Sequence, residues 1–273
     1  MTRLAARGAA TLSLLVIALA FLGPFIWVLI ASVQPEATLA AAPTLTFSLD
    51  NFKAVLTWET IVLPLINSVV ISGSTALLTV VVAGLAAYPL SRYQLRYRRH
   101  FMLTLLFTTG LPMTAILVPV YAMFFRFNLY GSVPAMVLFL TASSLPFSIW
   151  MMKNFMDGVP VSLEEAAWVD GAGWVQSLRA VVGPLMAPGI AVVAIFVFVG
   201  QWGNFFAPFV LLDAPEKQPA AVTIYTFFSQ YGQVAYGQLA AFSILYTAPA
   251  VILYVAVNKY LAGSFNLGGA TKG

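Results

Sequence analysis

The sequence predicts an all-α polytopic membrane protein with six transmembrane helices, and three observations support this fold class. Of the 273 residues, 61% are hydrophobic and only 8% are charged, whereas an ordinary soluble domain carries about 25% charged residues. Six uncharged runs are long enough to cross a bilayer, which takes about 20 apolar residues. Lysine and arginine also concentrate on one side of the resulting topology. Because so little polar surface cannot cover a core in water, lipid must solvate part of the chain.

The positions of the uncharged runs define the six predicted helices. They are residues 12–33, 62–90, 101–125, 133–152, 182–206 and 238–258. The first run exceeds the roughly 7–15-residue apolar core of a secretory signal peptide, so we interpret it as a retained transmembrane helix. The runs are not separated by a low-complexity linker, and the chain has no internal repeat. We therefore predict a single membrane domain over residues 1–273.

The basic residues predict the orientation, because cytoplasmic loops of membrane proteins carry an excess of Lys and Arg. With the N-terminus in the cytoplasm, ten of the thirteen basic residues lie on the cytoplasmic side, namely Arg3, Arg7, Arg92, Arg96, Arg98, Arg99, Lys153, Arg179, Lys259 and Lys272. Lys53, Arg126 and Lys217 lie on the other side. The prediction is a multi-pass protein of the cell (inner, cytoplasmic) membrane with both termini cytoplasmic.

The Arg92–Arg99 cluster has two interpretations. By itself it could bind nucleic acid, but between two spans it is typical of a topology anchor on anionic lipid headgroups. We therefore predict membrane lipid, and no nucleic acid, as a partner of this cluster.

The composition also argues against several kinds of chemistry. The absence of cysteine and the single histidine, His100, exclude thiolate and paired-imidazole metal sites. No acidic residue interrupts the six runs, which disfavours a proton- or sodium-coupled carrier. The chain lacks a G-x-x-x-x-G-K-[ST] loop, so ATP would be bound elsewhere. Glu164 and Glu165 are neighbours and point about 100° apart on a helix, so they cannot form a converging acid/base pair. We predict a protein that is not an enzyme, with no metal and no cofactor.

Residues 162–184 form the longest segment suited to water and to a protein partner. Ser162 and Glu165 have the spacing of a capping box, which predicts a helix beginning at Leu163. Asp170-Gly171 predicts its end, because glycine adopts the left-handed conformation that terminates a helix. A second helix is predicted from Trp174 to Val182, ending at Gly183-Pro184.

The glutamates of this segment have an ordinary interpretation and a functional one. Acidic residues at a helix start are usually solvated and are favoured by the helix dipole, and this applies to both Glu164 and Glu165. The small side chains of Ala166 and Ala167 favour the alternative, since they let another surface approach the helix backbone closely.

Four polar side chains within the spans are candidates for lining a solute pathway: Asn67, Ser68, Gln201 and Asn204. Buried amides suit sugar hydroxyls, since each amide offers both donors and acceptors. Hydrogen bonding between helices is an equally good explanation. Prolines 112, 119, 146 and 249 could shape such a path or only bend their helices.

The segment resembles a known family motif. Glu165-Ala166-Ala167, three residues, Gly171, nine residues, then Val181 and Pro184 resemble the EAA loop of ABC-importer permease subunits. Val181 stands where the pattern has Ile, and Gly183 stands where it has Leu.

The resemblance extends to the carbohydrate-uptake, maltose-transporter-like branch of these permeases. Its marks are Asn67-Ser68, Leu85-Ala86-Ala87-Tyr88, Trp202, Phe205, Pro208 and Gly269-Ala270-Thr271-Lys272-Gly273. One departure is that Gly203 follows Trp202, where family members often have Asn; Asn204 comes one place later.

The resemblance implies a fold, a role and a set of partners. The loop would be a cytoplasmic coupling helix between helices 4 and 5 that inserts into an ATPase subunit, where Glu165 meets a basic residue. The implied ATPase-coupling residues are Glu165, Ala166, Ala167, Asp170, Gly171, Ala172 and Pro184, and the tail at Lys272 could also reach the ATPase.

The implied partners are a second, non-identical permease subunit, two cytoplasmic ATPase subunits that bind ATP and Mg, and a periplasmic or lipid-anchored solute-binding protein. The expected function is one permease subunit, forming half of the pathway, of an ATP-driven importer of a sugar or sugar-like solute. Alternatives are a non-sugar solute such as a polyol or glycerol phosphate, a self-sufficient carrier, or a membrane-embedded enzyme.

Overall fold

The computed structural model describes residues 2–38, 46–228 and 234–269, and these residues are almost entirely helical. The α-helices are α1 (Thr2–Ser32), α2 (Asp50–Val55), α3 (Leu63–Arg92), α4 (Arg98–Thr109), α5 (Met113–Arg126), α6 (Val133–Asp157), α7 (Val161–Val169), α8 (Trp174–Ser177), α9 (Gly183–Trp202), α10 (Phe206–Leu211), α11 (Ala220–Thr223) and α12 (Tyr236–Gly269). Wider π turns precede α3 at Trp58–Val62 and α9 at Leu178–Val182.

Five helical segments among the described residues are long and apolar enough to cross a membrane. They are Thr11–Ser32, Trp58–Arg92, Val133–Asp157, Trp174–Trp202 and Tyr236–Val257. A sixth results if α4 and α5 are counted as one bent span. The runs predicted at 12–33, 62–90, 133–152 and 238–258 each coincide with one of these segments, although the ends differ.

The prediction of one continuous helix over residues 101–125 is wrong. α4 and α5 meet at an angle of 92° across residues 110–112. Pro112 adopts an extended backbone (φ −66°, ψ 128°) and has no N–H to continue the helical ladder. Because proline also disfavours helical geometry in the residue before it, Leu111 cannot extend α4, which ends at Thr109, and α5 begins afresh at Met113.

The predicted helix end at Gly183-Pro184 is also wrong, since helical structure continues from Trp174 to Trp202. The π turn explains the continuity. The N–H of Gly183 donates to the carbonyl of Leu178, five residues back, and Pro184 then falls in the first turn of α9. A first-turn residue needs no intrahelical donor, so proline is tolerated there. The helix predicted to end at 206 ends instead at Trp202, where Gly203 follows.

One unit of the chain comprises residues 1–65 and 222–249. Asn51 in α2 is buried and donates to the carbonyls of Ser32 (3.2 Å) and Gln34 (2.8 Å), so it holds α2 against the end of α1. Gly237 lies so near this amide that a Cβ would be 2.4 Å from its Nδ2. The unit therefore requires glycine at position 237.

The other unit comprises residues 66–221 and 250–273 and contains two apolar clusters. The first joins α3, α6 and α9 through residues that include Ala83, Ala87, Met152, Met186 and Val193. The second joins α5, α6 and α10 through residues that include Leu117, Phe124, Met136, Leu140 and Leu211. α6 takes part in both clusters, so it is the central helix of this unit.

Candidate functional site

The candidate site is a bent segment, residues 161–182, which we term the elbow. It consists of α7, a corner at Gly171, α8 and the π turn that leads into α9. The predicted capping box is wrong, because α7 begins at Val161 and Ser162 lies inside its first turn. Pro160 starts the helix instead: its backbone is extended (φ −61°, ψ 128°), and its carbonyl accepts the N–H of Leu163 at 3.3 Å.

The corner of the elbow is the glycine turn that the sequence predicts. Gly171 has a positive φ of 86°, a conformation that costs an L-residue with a side chain free energy. Its N–H donates to the carbonyl of Trp168 (3.0 Å), and the N–H of Ala172 donates to that of Ala167 (2.9 Å). This hydrogen-bond pair is the Schellman ending of a helix, so the prediction at Gly171 is confirmed.

Most of the elbow is exposed and mixes apolar with acidic side chains. Glu165, Ala166, Asp170 and Gly171 are exposed, Ala167 and Ala172 are half-buried, and Pro184 is exposed in the first turn of α9. Six large apolar side chains share this exposure: Val161, Leu163, Trp168, Val169, Trp174 and Val175. Exposed apolar surface with a polar rim is typical of a protein-interaction site. These exposed apolar residues were not predicted, although two tryptophans in a segment otherwise suited to water were a usable signal.

Glu164 differs from its neighbour Glu165, and the prediction that both are solvated is wrong. The Glu164 side chain is fully buried and forms an ion pair with Nε of Arg92, whose side chain is 6% exposed. Tyr88 Oη donates to Glu164 Oε2 at 3.1 Å. Arg92 is therefore occupied by protein groups, and the headgroup role predicted for the Arg92–Arg99 cluster is wrong at this position.

The remaining donors of Arg92 contact the end of α6 and the segment that joins α6 to α7, and one of them also contacts Ser91 Oγ at 3.3 Å. Its two terminal nitrogens donate to the carbonyls of Met156 and Val159, both at 3.2 Å. We term Arg92, Glu164 and Tyr88 the Arg92 clamp. The clamp joins the end of α3 both to α7 and to the segment that precedes it.

A second polar cluster lies beside the clamp at the end of α6. Ser91 Oγ donates to Asp157 Oδ1 at 2.7 Å, and Arg98 Nη2 lies 3.8 Å from the same oxygen. Lys153 pairs with the other oxygen of Asp157. These contacts join α6 to the end of α3 and to the start of α4, and half-exposed pairs of this kind each contribute little stability.

Two of the candidate pathway residues, Asn67 and Ser68, contact the segment of residues 212–220, which we term the 212–220 loop. Asn67 Nδ2 donates to the carbonyls of Glu216 (2.8 Å) and Gln218 (3.1 Å). Ser68 is buried, and its Oγ accepts the N–H of Ala220 at 2.9 Å. Both side chains thus hold the loop to the beginning of α3.

The structure brings the other two candidates, Gln201 and Asn204, together at the end of α9. Asn204 Nδ2 donates to Gln201 Oε1 at 2.9 Å, and Gln201 Nε2 donates to Ser144 Oγ at 3.1 Å. Asn204 Oδ1 also accepts the N–H of Ala207 at 3.3 Å, at the start of α10.

Gln201 lines a cavity of about 460 Å³ at the bend between α4 and α5. Its polar lining also includes Thr108, Thr109, Ser143 and Ser144. The hydroxyls of Thr108 and Thr109 donate to carbonyls of their own helix, which leaves their lone pairs free to accept. These hydroxyl residues were not predicted as pathway residues, because the bend beside which they lie was not predicted. Lys272, the remaining predicted residue, lies outside the described residues.

Comparison with known proteins identifies the family. Residues 79–265 match the model of the binding-protein-dependent transport system inner membrane component. The chain is 30% identical over 234 residues to the maltodextrin transport system permease protein MdxG of Bacillus subtilis, covering 84% of this chain and 82% of the relative. It is 27% identical over 263 residues to the trehalose/maltose transport system permease protein MalG of Thermococcus litoralis, covering 95% and 94%.

A solved structure has the same fold. A chain of a bacterial ABC transporter involved in the import of the acidic polysaccharide alginate superposes with a TM-score of 0.80 at 23% identity, covering 94% of this chain and 96% of that chain. The family match includes the whole elbow and the end of α3 that it contacts. The chain therefore belongs to the family of binding-protein-dependent transport system inner membrane components and is a permease subunit.

Proposed function

We propose that this chain is one permease subunit of an ATP-driven importer and forms half of the pathway for a sugar or sugar-like solute. The observation that carries the proposal is the family match, which spans the elbow. The maltodextrin and trehalose/maltose systems of the relatives support a sugar as the solute. A polyol or a glycerol phosphate is the alternative solute that the assay must include.

The proposed topology has six spans, with α4 and α5 forming the third as one bent span. Both termini and the elbow, between the fourth and fifth spans, lie in the cytoplasm, and residues 1–273 act as one permease domain. The basic residues support this orientation, since ten of thirteen fall on the cytoplasmic side. The proposed location is the cell membrane.

The proposed partners are a second, non-identical permease subunit, two cytoplasmic ATPase subunits that hold ATP and Mg, and an extracytoplasmic solute-binding protein. The exposure of the elbow supports an ATPase contact through Glu165, Ala166, Ala167, Asp170, Gly171 and Ala172, with Pro184 in the turn that follows. The exposed Trp168 and Trp174 widen this contact, and Lys272 is proposed to add a contact from the tail. ATP binding does work on the pathway only if it favours one orientation of the permease over the other.

For the solute, we propose contacts with Gln201, which lines the cavity beside the α4–α5 bend, and with Asn204, which donates a hydrogen bond to Gln201. The cavity volume of about 460 Å³ and its amide and hydroxyl lining support a small carbohydrate; ligand pockets usually measure about 300–1,000 Å³. The hydrogen bonds of Asn67 and Ser68 support a role in holding the 212–220 loop. A pathway role for these two residues therefore has less support than one for Gln201 and Asn204.

The test of the importer proposal is transport by the assembled complex in proteoliposomes. The chain is reconstituted with the permease, ATPase and binding protein encoded beside its gene, and uptake of labelled maltose, trehalose, glycerol and glycerol 3-phosphate is measured. Uptake should require ATP and every partner. Uptake by the chain alone would identify a self-sufficient carrier and overturn the proposal.

Variants of the elbow test the ATPase contact. Glu165→Ala should abolish solute uptake while Glu59→Ala, a change of another exposed glutamate outside the elbow, leaves uptake intact. Unchanged uptake and assembly in Glu165→Ala would refute the assignment of the elbow as the coupling element. In the same preparation, Gln201→Ala should weaken solute binding by the full complex more than Asn67→Ala does.

A further inference from the structure

The unusual feature of the elbow is a buried carboxylate on a short helix. Glu164 and Glu165 are adjacent in α7, yet the side chain of Glu164 is fully buried and Glu165 is exposed. Burying a carboxylate costs several kcal/mol unless its partners compensate for lost hydration. A helix that needed only a solvated start would place Glu164 in water, so its burial against Arg92 requires an explanation.

The surroundings of Glu164 compensate for this cost from several directions. Arg92 and Tyr88 supply an ion pair and a hydroxyl donor to its two oxygens. Arg92 lies in the last turn of α3 and Glu164 in the first turn of α7. The negative end of one helix dipole thus meets the arginine, and the positive end of the other meets the glutamate. Both helix ends favour the charge that they hold.

The Arg92 clamp also crosses a long distance in sequence. Glu164 and Arg92 are 72 residues apart, and the hydrogen bonds that cross from α7 to α3 end on the Glu164 carboxylate. By contrast, the chain itself connects α7 to α6 through Gly158–Pro160 and to α9 through the π turn. A displacement of the elbow reaches α6 and α9 through the backbone. It reaches α3 through side chains, namely the apolar packing of Leu178 and Val182 and the hydrogen-bonded contacts of the Arg92 clamp.

We propose that the Arg92 clamp is the link that transmits movement of the elbow to α3, so that Arg92, Glu164 and Tyr88 are positioning residues for transport. This proposal rests on the proposed function, in which an ATPase moves the elbow. The guanidinium suits the task because it forms directed bonds to the Glu164 carboxylate and to the carbonyls of Met156 and Val159 at once. α3 is then pulled together with α7 and the end of α6.

α3 connects the Arg92 clamp to a second segment of the same unit, the 212–220 loop. α3 has 30 residues, which corresponds to about 45 Å of helix. At its other end, Asn67 and Ser68 hold the 212–220 loop. A shift of the clamp is therefore transmitted along one continuous helix to a loop at the opposite end of the same unit.

The experiment measures the coupling ratio, defined as solute imported per ATP hydrolysed, in the reconstituted complex. Glu164→Gln keeps the shape of the side chain and removes its charge. The variant should assemble and hydrolyse ATP, because Glu165 remains, while the coupling ratio falls roughly 5- to 150-fold, the usual range of a coupling between sites. Glu164→Asp retains the carboxylate and should restore part of the ratio. Asp50→Asn, which removes a charge from an exposed pair with Lys53, is the control and should leave the ratio unchanged.

The outcomes separate this proposal from the proposed function. If the unaltered complex does not import solute with ATP, the proposed function fails. If it imports and Glu164→Gln has the unaltered coupling ratio, the Arg92 clamp proposal is overturned.

If Glu164→Gln does not assemble, the double variant Arg92→Met with Glu164→Leu removes both charges and keeps apolar packing, a change that buried ion pairs often tolerate. An assembled but uncoupled double variant supports the link. A fully coupled double variant, or one that fails to assemble, shows a purely structural pair and overturns the proposal.

Discussion

The two ends of α3 are held by different chemistry. At one end, the Arg92 clamp attaches the elbow through a buried ion pair and hydrogen bonds to charged groups. At the other, Asn67 and Ser68 attach the 212–220 loop through neutral hydrogen bonds to its backbone. Both attachments join a short segment to the same helix. They differ in what remains when one partner is removed: an unpaired buried charge at the first end, and a neutral polar group at the second.

This difference predicts how firmly each segment follows α3. A neutral hydrogen bond contributes about 0.5–1.5 kcal/mol, and water can replace the exposed bond between Asn67 and Glu216. Breaking a buried ion pair on one side costs about 3–5 kcal/mol, because a charge remains buried without a partner. The elbow is therefore expected to move with α3 as one body, whereas the 212–220 loop can detach locally.

The largest expected effect is that of Arg92→Ala, which leaves the Glu164 carboxylate buried without its partner. The free energy of unfolding in detergent should fall by about 3–5 kcal/mol. Thermal and denaturant melting of the purified chain measure it, with Arg99→Ala, an exposed arginine of the same cluster, as the control that should change little. Equal melting of the two variants would contradict the assignment of a stronger attachment at this end.

A smaller effect is expected at the corner of the elbow. There the backbone conformation of Gly171 holds the turn, whereas at the Arg92 clamp side-chain contacts hold the elbow. At Gly171 and at Gly173 an added Cβ meets nothing within 4 Å, but only Gly171 has a positive φ, of 86°. Gly171→Ala should lower the free energy of unfolding by about 1–2 kcal/mol, the cost of left-handed backbone for a residue with a Cβ.

Gly173→Ala is the matched control, since its φ of −72° suits any residue. The rate of limited proteolysis within residues 161–182 measures whether the destabilisation by Gly171→Ala is located in the elbow. If both variants behave alike, the turn does not depend on the conformation of Gly171.

At the other end of α3, Asn67→Ala should cost about 1 kcal/mol, because only neutral hydrogen bonds are lost. The change should be local: hydrogen exchange within residues 212–220 should accelerate while the elbow stays protected. Asn154→Ala, at an exposed position of α6, is the control. Faster exchange in the elbow as well would show that the two ends are not independently attached.

The smallest expected effect is that of a residue between the two ends of α3. Its substitution should raise the free energy of unfolding, where the changes above lower it. The hydroxyl of Thr79 in α3 is buried without a hydrogen-bond partner. Thr79→Val removes this group at constant shape and should raise the free energy of unfolding by up to about 1 kcal/mol. Thr141→Val should lower it, because the Thr141 hydroxyl donates to the carbonyl of Val137 at 2.8 Å. Melting of the two variants in opposite directions is the expected result.

The parts of the fold that were predictable are those that depend on neighbours in sequence. Four apolar runs coincide with membrane-length helices, because a backbone in lipid must satisfy its own hydrogen bonds within a helix. The turn at Gly171 was predictable for the same reason, since Asp170-Gly171 carries its own conformational preference. The break at Pro112 was equally local, yet the length of the apolar run concealed it.

The candidate site was predictable only in part. The motif around Glu165 located the elbow, but its exposed tryptophans and the buried Glu164 were missed. Likewise, the polar pairs Asn67–Ser68 and Gln201–Asn204 looked alike in sequence. The structure uses the first pair to hold a loop and places Gln201 of the second beside a cavity. A polar residue in a span looks the same in sequence whether it holds a loop or lines a cavity. Only its partners in the folded structure distinguish these two roles.

The order of the amino acids is enough to establish that this protein is helical and lipid-solvated, where most of its spans lie, and which segment contains the family motif. Those properties follow from hydropathy and from short-range conformational preference. The tertiary structure alone decided that Glu164, and not Glu165, is buried, because its burial depends on Arg92, 72 residues away, and on the carbonyls at the end of α6. The free energy of a buried charge is set by the partners that surround it, and those partners come together only when the helices pack.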